Sequence, residues 1–242
     1  MSVITDLTRM WLTRSTKPFT FLNEYDETLS YGDCENLGLY VHIPFCEKIC
    51  SFCPYCKVVY SKETCDAYID ALLQEIHMVG SQQEDKKQVT SLYFGGGTPA
   101  LAVDRLGEII GAIEEHFIIT EGIGLELHPR NVNVEMLTEL KTAGITKISI
   151  GIQSFQEKYQ SILGRDVVDM EQMAAALAQV EFETVSMDFI FALPNQTYLD
   201  LKKDIDLAFS HGANHVAIYP FIDFTFTSSK VKVMEKKEKR KL

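Results

Sequence analysis

The apolar residues of this chain follow two alternating patterns, and the alternation predicts an α/β architecture. Six short apolar runs predict strands: 39–43, 89–94, 124–127, 147–152, 185–191 and 215–219. Five intervening segments repeat apolar residues at helical spacing and predict helices: 61–80, 104–117, 133–143, 170–180 and 198–209. Strands that alternate with helices are typical of βαβ units, a parallel sheet and right-handed crossovers.

The periodicity leaves two architectures open, an open doubly wound sheet and a barrel of β/α units. In both, ligands bind beyond the carboxyl ends of the strands. Each predicted strand carries polar or special residues at or near that end: a cysteine loop, Gly95 to Pro99, Glu126 with His128, Gln153, Asp188 and Tyr219. We therefore expect these residues to form one site on one face of the sheet.

The composition is that of a globular protein, with 46% apolar and 24% charged residues in 242. This length suits one barrel-sized domain. No apolar run reaches the roughly 18–20 residues of a membrane helix. The first 14 residues have no apolar signal core. We therefore expect a cytoplasmic protein without an integral membrane segment, in a compartment where cysteines stay reduced.

The net charge of −11 argues against general nucleic-acid binding. Residues 230–242 differ from the rest, because they carry seven Lys or Arg and two Glu. Such a basic tail could contact an anionic surface. A solvated helix or a frayed end is the more common meaning of a charge run.

Four of the six cysteines fall between positions 46 and 56. Cys46, Cys50 and Cys53 form a C-x3-C-x2-C pattern, and Cys56 follows. Three thiolates on one loop can hold an iron–sulfur cluster and leave one iron open to a ligand. The alternative is a zinc site that uses all four. Zinc ribbons usually present two separated C-x2-C pairs, so the crowded spacing favours a cluster.

The run Gly95-Gly-Gly-Thr-Pro99 follows the second strand. Glycines there would let a ligand approach the backbone, and the freed N–H groups could bind an anionic group. The run lacks the spacing of a Rossmann or Walker loop. A further set of polar residues could bind the amine, carboxylate and ribose of a nucleotide-like cofactor: Glu126, Gln153, Arg165 and Asp188. Asp188 lies within an apolar strand, where a carboxylate needs a partner.

Five motifs together resemble the radical S-adenosylmethionine enzymes, and more narrowly the oxygen-independent coproporphyrinogen III oxidase group. They occur in the group's order between residues 38 and 225. The motifs are Tyr40-Val-His-Ile-Pro-Phe-Cys46 with its cysteine pattern, Tyr93-Phe-Gly-Gly-Gly-Thr-Pro99, Glu126-Leu-His-Pro129, Ile148-Ser-Ile-Gly-Ile-Gln-Ser-Phe155, and Asp188 to Thr197.

The resemblance implies a partial (β/α)6 barrel of TIM type with a 4Fe–4S cluster in its mouth. Cys46, Cys50 and Cys53 would each hold one iron, and the fourth iron would bind S-adenosylmethionine. Its one-electron cleavage would give a 5′-deoxyadenosyl radical that abstracts a substrate hydrogen. One or two S-adenosylmethionine molecules would be lined by Tyr40, Phe52, Gly96, Gly97, Thr98, Glu126, Gln153, Arg165 and Asp188.

The resemblance also implies a tetrapyrrole substrate of haem biosynthesis and an electron donor such as flavodoxin or ferredoxin. Relatives with other functions keep two alternatives open: a haem chaperone of the same fold, and a radical methyltransferase or haem-degrading enzyme. The chain departs from the group in three places. Cys56 lies one residue beyond the usual fourth cysteine, His128 replaces an Asn, and Ser186-Met187 replaces the usual Asn-x before the Asp.

The domain organisation expected from these motifs has three parts. Residues 1–38 form an N-terminal extension, 39–225 form the core, and 226–242 form a basic tail or the start of a linker. The group usually continues into a C-terminal domain that covers the substrate. We expect that domain to be missing here.

Overall fold

The computed structural model of this chain describes residues 31, 33–82, 84–222, 224, 227, 231 and 234. Most of the expected extension at 1–38 therefore lies outside the described residues, as does most of the tail at 226–242. The three-part division of the chain stays a prediction. Among the described residues, no helix has the length and apolar character needed to cross a membrane.

Nine strands and six α-helices are described. The strands are β1 Leu37–Ile43, β2 Phe45–Cys46, β3 Val58–Val59, β4 Lys87–Gly96, β5 Phe117–Ile119, β6 Ile123–Leu127, β7 Ile145–Gln153, β8 Thr184–Phe191 and β9 His215–Pro220. The helices are α1 Lys62–Gly80, α2 Val103–His116, α3 Val134–Thr142, α4 Glu157–Ile162, α5 Met170–Leu177 and α6 Tyr198–Ser210. Short 3₁₀ turns cover Pro99–Ala102 and Pro129–Asn131.

The sheet decides between the two architectures that periodicity left open. Its main strands pair in the order β1-β4-β6-β7-β8-β9, and every pair is parallel. A doubly wound sheet reverses its strand order at a switch point. Here the order never reverses, so successive right-handed crossovers put the helices on one face. The six predicted strands thus form the wall of a parallel half-barrel, which confirms the predicted fold class.

Side chains cap free N–H groups at the start of four of the six described helices. Ser61 accepts from the Thr64 amide before α1, and Asn133 accepts from the Met136 amide before α3. Thr197 and Asp200 form a reciprocal capping box at α6. The one clear boundary error lies at α5, which ends at Leu177 and not at the predicted position 180.

The helical face of the sheet is apolar and the opposite side carries polar residues. Among the largest buried side chains are Leu92, Phe94, Leu106, Ile109, Leu125 and Leu137. In register across the strands, Glu126 pairs with Ser149, Ser149 with Ser186, and Ser186 with His215. Strand pairing therefore brings residues distant in sequence into one polar row.

Two two-residue strands hold the base of the cysteine loop. β2 and β3 pair in parallel on either side of the loop. The Val58 amide donates to the Pro44 carbonyl at 2.8 Å, and the Tyr60 amide donates to the Cys46 carbonyl at 2.9 Å. The loop that carries Cys50 and Cys53 is thus closed at its ends by backbone bonds.

Candidate cofactor site in the mouth of the half-barrel

A cavity of about 580 Å³ opens at the carboxyl ends of the strands, which is a volume ordinary for small-molecule sites. All twelve residues that the sequence assigned to the cluster or to the cofactor line this one cavity. They are Tyr40, Cys46, Cys50, Phe52, Cys53, Gly96, Gly97, Thr98, Glu126, Gln153, Arg165 and Asp188. The structure therefore brings the predicted site residues together, while their individual roles stay predictions.

The cysteine loop presents three of its four thiols to the cavity. Cys46, Cys50 and Cys53 are partly exposed and line it, whereas Cys56 is exposed and does not. Cys56 contributes its backbone carbonyl, which accepts from His42 Nε2 at 3.1 Å. The opposite nitrogen of His42 then accepts from the Tyr40 hydroxyl at 3.2 Å. His42 thus ties the end of the loop to β1.

Burial raises the pKa of the Cys46 and Cys50 thiols. A hydrogen bond from Thr98 opposes the shift at Cys46, and the positive charge of Arg165 opposes it at Cys50. Lys57, which donates to the Cys53 carbonyl, adds a second cation. Partly buried thiols among cations are suited to bind metal as thiolates, because the metal and the cations balance their charge.

The three cavity thiols fit an iron–sulfur cluster better than a single zinc ion. One ion needs its ligand atoms close together, and the three sulfurs are not among the described sets of three donor atoms within 4.8 Å of one another. A cluster spreads its ligands over several metal atoms. With Cys56 turned away, the four-cysteine zinc site that the spacing left open is not assembled.

The amides of the glycine run are bound within the protein, so the anion-binding role expected of them is wrong, while the placement of Gly96, Gly97 and Thr98 beside the cofactor stays a prediction. The N–H groups of Gly96, Gly97 and Thr98 donate to Glu126 Oε2, the Ile43 carbonyl and the Phe45 carbonyl. They are therefore not free to bind an anion. A Cβ at position 97 would lie 2.4 Å from the Phe45 carbonyl oxygen. The run is glycine-rich because the chain that leads into the cysteine loop packs directly against it.

Glu126 lies on β6 and faces the cavity from its floor. It accepts from the Gly96 amide at 3.0 Å and hydrogen-bonds to Tyr93, and its pKa is raised by burial. The nearby charge of Asp188 raises that pKa further. A carboxylate in this position is matched to a cation, because an ammonium group would compensate the cost of its burial.

Asp188 has hydrogen-bond partners, as a carboxylate within an apolar strand requires. Ser149 donates to Asp188 Oδ2 at 2.8 Å, and Ser186 donates to Oδ1 at 3.3 Å. Burial still raises the pKa of Asp188. Ser186 also contacts His215 Nδ1 at 3.0 Å, so a polar chain runs from the exposed His215 to the cavity. Both hydroxyls fix the carboxylate in one orientation.

Gln153 ends β7 in a conformation that few non-glycine residues adopt, with φ +70°. Gly151 makes room for it, since a Cβ at 151 would lie 2.9 Å from Gln153 Nε2. The Gly151 carbonyl accepts from the Arg165 guanidinium. Residue 151 thus holds Arg165 and leaves space for the Gln153 amide. Such strained backbone is concentrated at functional sites.

His128 enters the same cavity as an uncharged ring. Burial, reinforced by Arg165 and Arg130, lowers the pKa of His128 to about 3. Its Nδ1 accepts from the Arg130 amide at 3.2 Å, which leaves the proton on Nε2. Where the resembled group has an Asn, this chain has a neutral ring that carries an N–H donor.

Sequence reasoning assigned no role to several residues that shape the site: Tyr93, Ser149, Gly151 and Ser186. Tyr93, Ser149 and Gly151 stand inside motifs quoted above, and Ser186 was noticed only as a departure. Each lies two positions from, or in register with, a predicted site residue. The two-residue period of a strand could therefore have identified them.

Known proteins are similar to this chain in sequence. The family model of the Radical SAM superfamily matches residues 40–208. The heme chaperone HemW of Bacillus subtilis is 32% identical, over 76% of this chain and 50% of its own. The oxygen-independent coproporphyrinogen III oxidase of Salmonella typhimurium is 35% identical, over 66% of this chain and 36% of its own. The chain spans about half or less of the length of these curated relatives.

Solved structures show the same core. The coproporphyrinogen III oxidase HemN from Escherichia coli superposes with a TM-score of 0.74 and 28% identity, over 86% of this chain and 50% of its own. The methyltransferase TsrM from Kitasatospora setae, solved with cobalamin and a 4Fe–4S cluster, superposes at 0.53 with 12% identity, over 80% of this chain and 38% of its own. At that identity the second likeness concerns the fold alone.

Proposed function

Because this chain belongs to the radical S-adenosylmethionine superfamily, we propose that Cys46, Cys50 and Cys53 hold a 4Fe–4S cluster beside a bound S-adenosylmethionine. The superfamily implies both groups. The observation that carries the proposal is the convergence of all twelve predicted residues on one cavity, with three thiols turned inward and Cys56 turned out. When bound, the cluster and S-adenosylmethionine supply a one-electron reductive cleavage that removes a hydrogen atom from a substrate.

The charged residues of the cavity match the parts of S-adenosylmethionine. Arg165 offers a buried cation to the carboxylate, and its contact with the Gly151 carbonyl orients the guanidinium. Glu126 offers a carboxylate to the ammonium group. Asp188, fixed by Ser149 and Ser186, offers oxygen acceptors to the ribose hydroxyls, and Gln153 offers an amide.

A second group of cavity residues is suited to exclude water. The rim of the cavity carries aromatic and apolar side chains, among them Phe52, Tyr55, Phe221 and Ile222. Where such a rim excludes water, it strengthens each electrostatic contact inside and protects reactive species from side reactions. The same apolar rim suits the flat, largely apolar ring of a tetrapyrrole.

We propose a tetrapyrrole of haem metabolism as the substrate, with oxidative decarboxylation of coproporphyrinogen III as the reaction class. The likeness to coproporphyrinogen III oxidases at 34–35% identity supports this choice. A second candidate, haem binding without turnover, is favoured by one observation. The cysteine pattern departs from that of the oxidase group at Cys56, which lies one residue beyond the usual fourth cysteine.

Anaerobic reconstitution with iron and sulfide tests the first step. The reconstituted chain is reduced with dithionite and incubated with S-adenosylmethionine, and 5′-deoxyadenosine is measured by chromatography. We expect its formation. Retention of zinc with no cluster absorbance would contradict the proposal.

Product analysis then separates the functions. Protoporphyrinogen formed from coproporphyrinogen III supports the oxidase, whereas stoichiometric haem binding without turnover supports the chaperone. A methylated product would favour methyl transfer and exclude both the oxidase and the chaperone.

The matched control is the Asp188→Asn variant, which keeps the cysteines and should lose affinity for S-adenosylmethionine while it retains cluster absorbance.

A further inference from the structure

A second group of metal-ligand side chains lies outside the cavity, at the packed ends of α1 and α2. His77 is in the last turn of α1, and Glu115 with His116 ends α2. None of the three lines the cavity in the mouth of the half-barrel. The described part of the chain holds no other set of three such donor atoms within 4.8 Å of one another.

Two of the three donor-atom distances lie near the spacing of a tetrahedral metal site. His77 Nδ1 lies 3.0 Å from His116 Nε2 and 3.7 Å from Glu115 Oε2. Zinc bonds to nitrogen and carboxylate oxygen are about 2.0–2.2 Å, so tetrahedral ligand atoms stand roughly 3.3 Å apart. These two distances lie on either side of that value, and the third pair, Glu115 and His116, lies within 4.8 Å. An ion could therefore be held after small displacements of the side chains.

The site is held in place by packing. The His116 ring lies over Gly80, where a Cβ would come within 2.3 Å of its Cγ. Gly80 is buried, so its missing side chain makes the room that the ring occupies. The two imidazoles meet edge to face, with centroids 5.2 Å apart at 76°. His116 is therefore oriented before any ion arrives.

The location also favours positive charge. Both histidines lie in the last turns of their helices, where the helix dipole is negative. His77 and Glu115 are exposed, so an ion has access from solvent and a water molecule can complete the coordination. Two imidazoles and one carboxylate suit borderline first-row ions such as zinc, and do not suit magnesium or calcium, which prefer oxygen ligands.

We propose that His77, Glu115 and His116 form a surface site for a divalent transition metal ion, with zinc as the reference ion. The bound ion would join the ends of α1 and α2. This site is independent of the proposed cluster and does not rest on it. Loss of the bound metal ion would leave the cavity residues in place.

Equilibrium dialysis with zinc tests the site in tag-free protein whose cluster has first been reconstituted, so that the loop cysteines are occupied. We expect one zinc equivalent per chain. His77→Ala, an exposed position, should weaken binding at least tenfold, as should His116→Ala. Glu114→Gln is the matched control, because this exposed neighbour lies outside the set, and it should bind zinc like the parent protein.

Zinc X-ray absorption identifies the ligands directly. We expect a first shell of nitrogen and oxygen at about 2.0–2.1 Å and no sulfur at about 2.3 Å. A sulfur shell would place the zinc in the cysteine loop and overturn the proposal. Unchanged zinc affinity in both histidine variants would overturn it too. A hundredfold excess of magnesium should not displace the ion, and displacement would contradict the ligand class.

Discussion

Cys53 and Cys56 lie three positions apart in one loop and differ in what they face. Cys53 lines the cavity, and Cys56 is exposed to solvent outside it. We predict that Cys53→Ala loses most of the roughly four iron atoms that a cluster would bring to each chain. Cys56→Ala should keep them, because Cys56 does not line the cavity and its backbone bond to His42 survives the substitution. Iron and sulfide analysis after reconstitution measures both. Equal loss in the two variants would contradict the ligand assignment.

Packing requires a glycine at position 97 but not at position 107. A Cβ at 97 would meet the Phe45 backbone at 2.4 Å, whereas nothing lies within 4 Å of a Cβ at 107 in α2. Gly97→Ala should cost about 1–3 kcal/mol of unfolding free energy, because the backbone under the cysteine loop must shift. Gly107→Ala should add about 0.4–1 kcal/mol. Urea unfolding measures both, and equal midpoints would refute the packing role of Gly97.

His128 makes stability depend on pH in a defined direction. Its pKa is about 3 in the folded chain and about 6.5 when unfolded, so the unfolded state takes up the proton first. Its contribution is therefore intact above about pH 6.5 and is lost progressively as the pH falls toward 3.

The His128→Asn variant removes this group. Between pH 7.5 and pH 5 the parent should lose about 1–2 kcal/mol of unfolding free energy relative to the variant. Denaturant unfolding at the two pH values gives the difference. The idea fails if the difference in unfolding free energy between the parent and the variant is the same at both pH values.

At the scale of elements, one buried carboxylate joins α6 to the loop after β7. Asp204 is fully buried and accepts from Ser154 Oγ at 2.7 Å and from the Phe155 amide at 3.1 Å. That loop directly follows Gln153, whose backbone is strained. Asp204 is thus placed to fix the end of β7.

Asp204→Asn should lower the unfolding free energy by about 2–3 kcal/mol, because an NH2 donor replaces one of the two acceptor oxygens and leaves a buried donor without its acceptor. Asp206→Asn on the same helix is the control. It breaks only an exposed pair with Lys202 and should change stability by less than about 0.5 kcal/mol. Urea denaturation compares them. A similar small effect in both variants would remove Asp204 from this role.

The elements themselves were largely predictable, and the exceptions have physical causes. The six strands and five helices carry clear periods and caps, as at Ser61 and Asn133. α4 was missed because six residues make less than two turns, although it buries Tyr159 and Gln160. The β2–β3 pair was missed because two residues show no period. The anion-binding role of the glycine amides was wrong because Gly97 packs against the Phe45 backbone, 52 positions earlier.

At the scale of the whole molecule, the order of the strands assembles the site. A sheet that runs β1-β4-β6-β7-β8-β9 without reversal gathers six strand ends around one cavity. The sequence motifs could name eleven of the twelve residues, because those eleven lie inside the five motifs, whereas Arg165 lies outside them, after α4. They could not reveal the tautomer of His42, the acceptors of the glycine amides or the outward turn of Cys56. Those depend on contacts between residues that are distant in the chain.

The central claim is that three thiols hold a cluster whose open iron takes S-adenosylmethionine. Electron paramagnetic resonance of the reduced, reconstituted chain tests it directly, with S-adenosylmethionine labelled with ¹⁷O at its carboxylate. We predict a 4Fe–4S signal that shifts on addition of the molecule and acquires ¹⁷O coupling in the matching double-resonance spectrum. A reduced cluster with an unchanged signal and no ¹⁷O coupling at saturating S-adenosylmethionine would contradict the account.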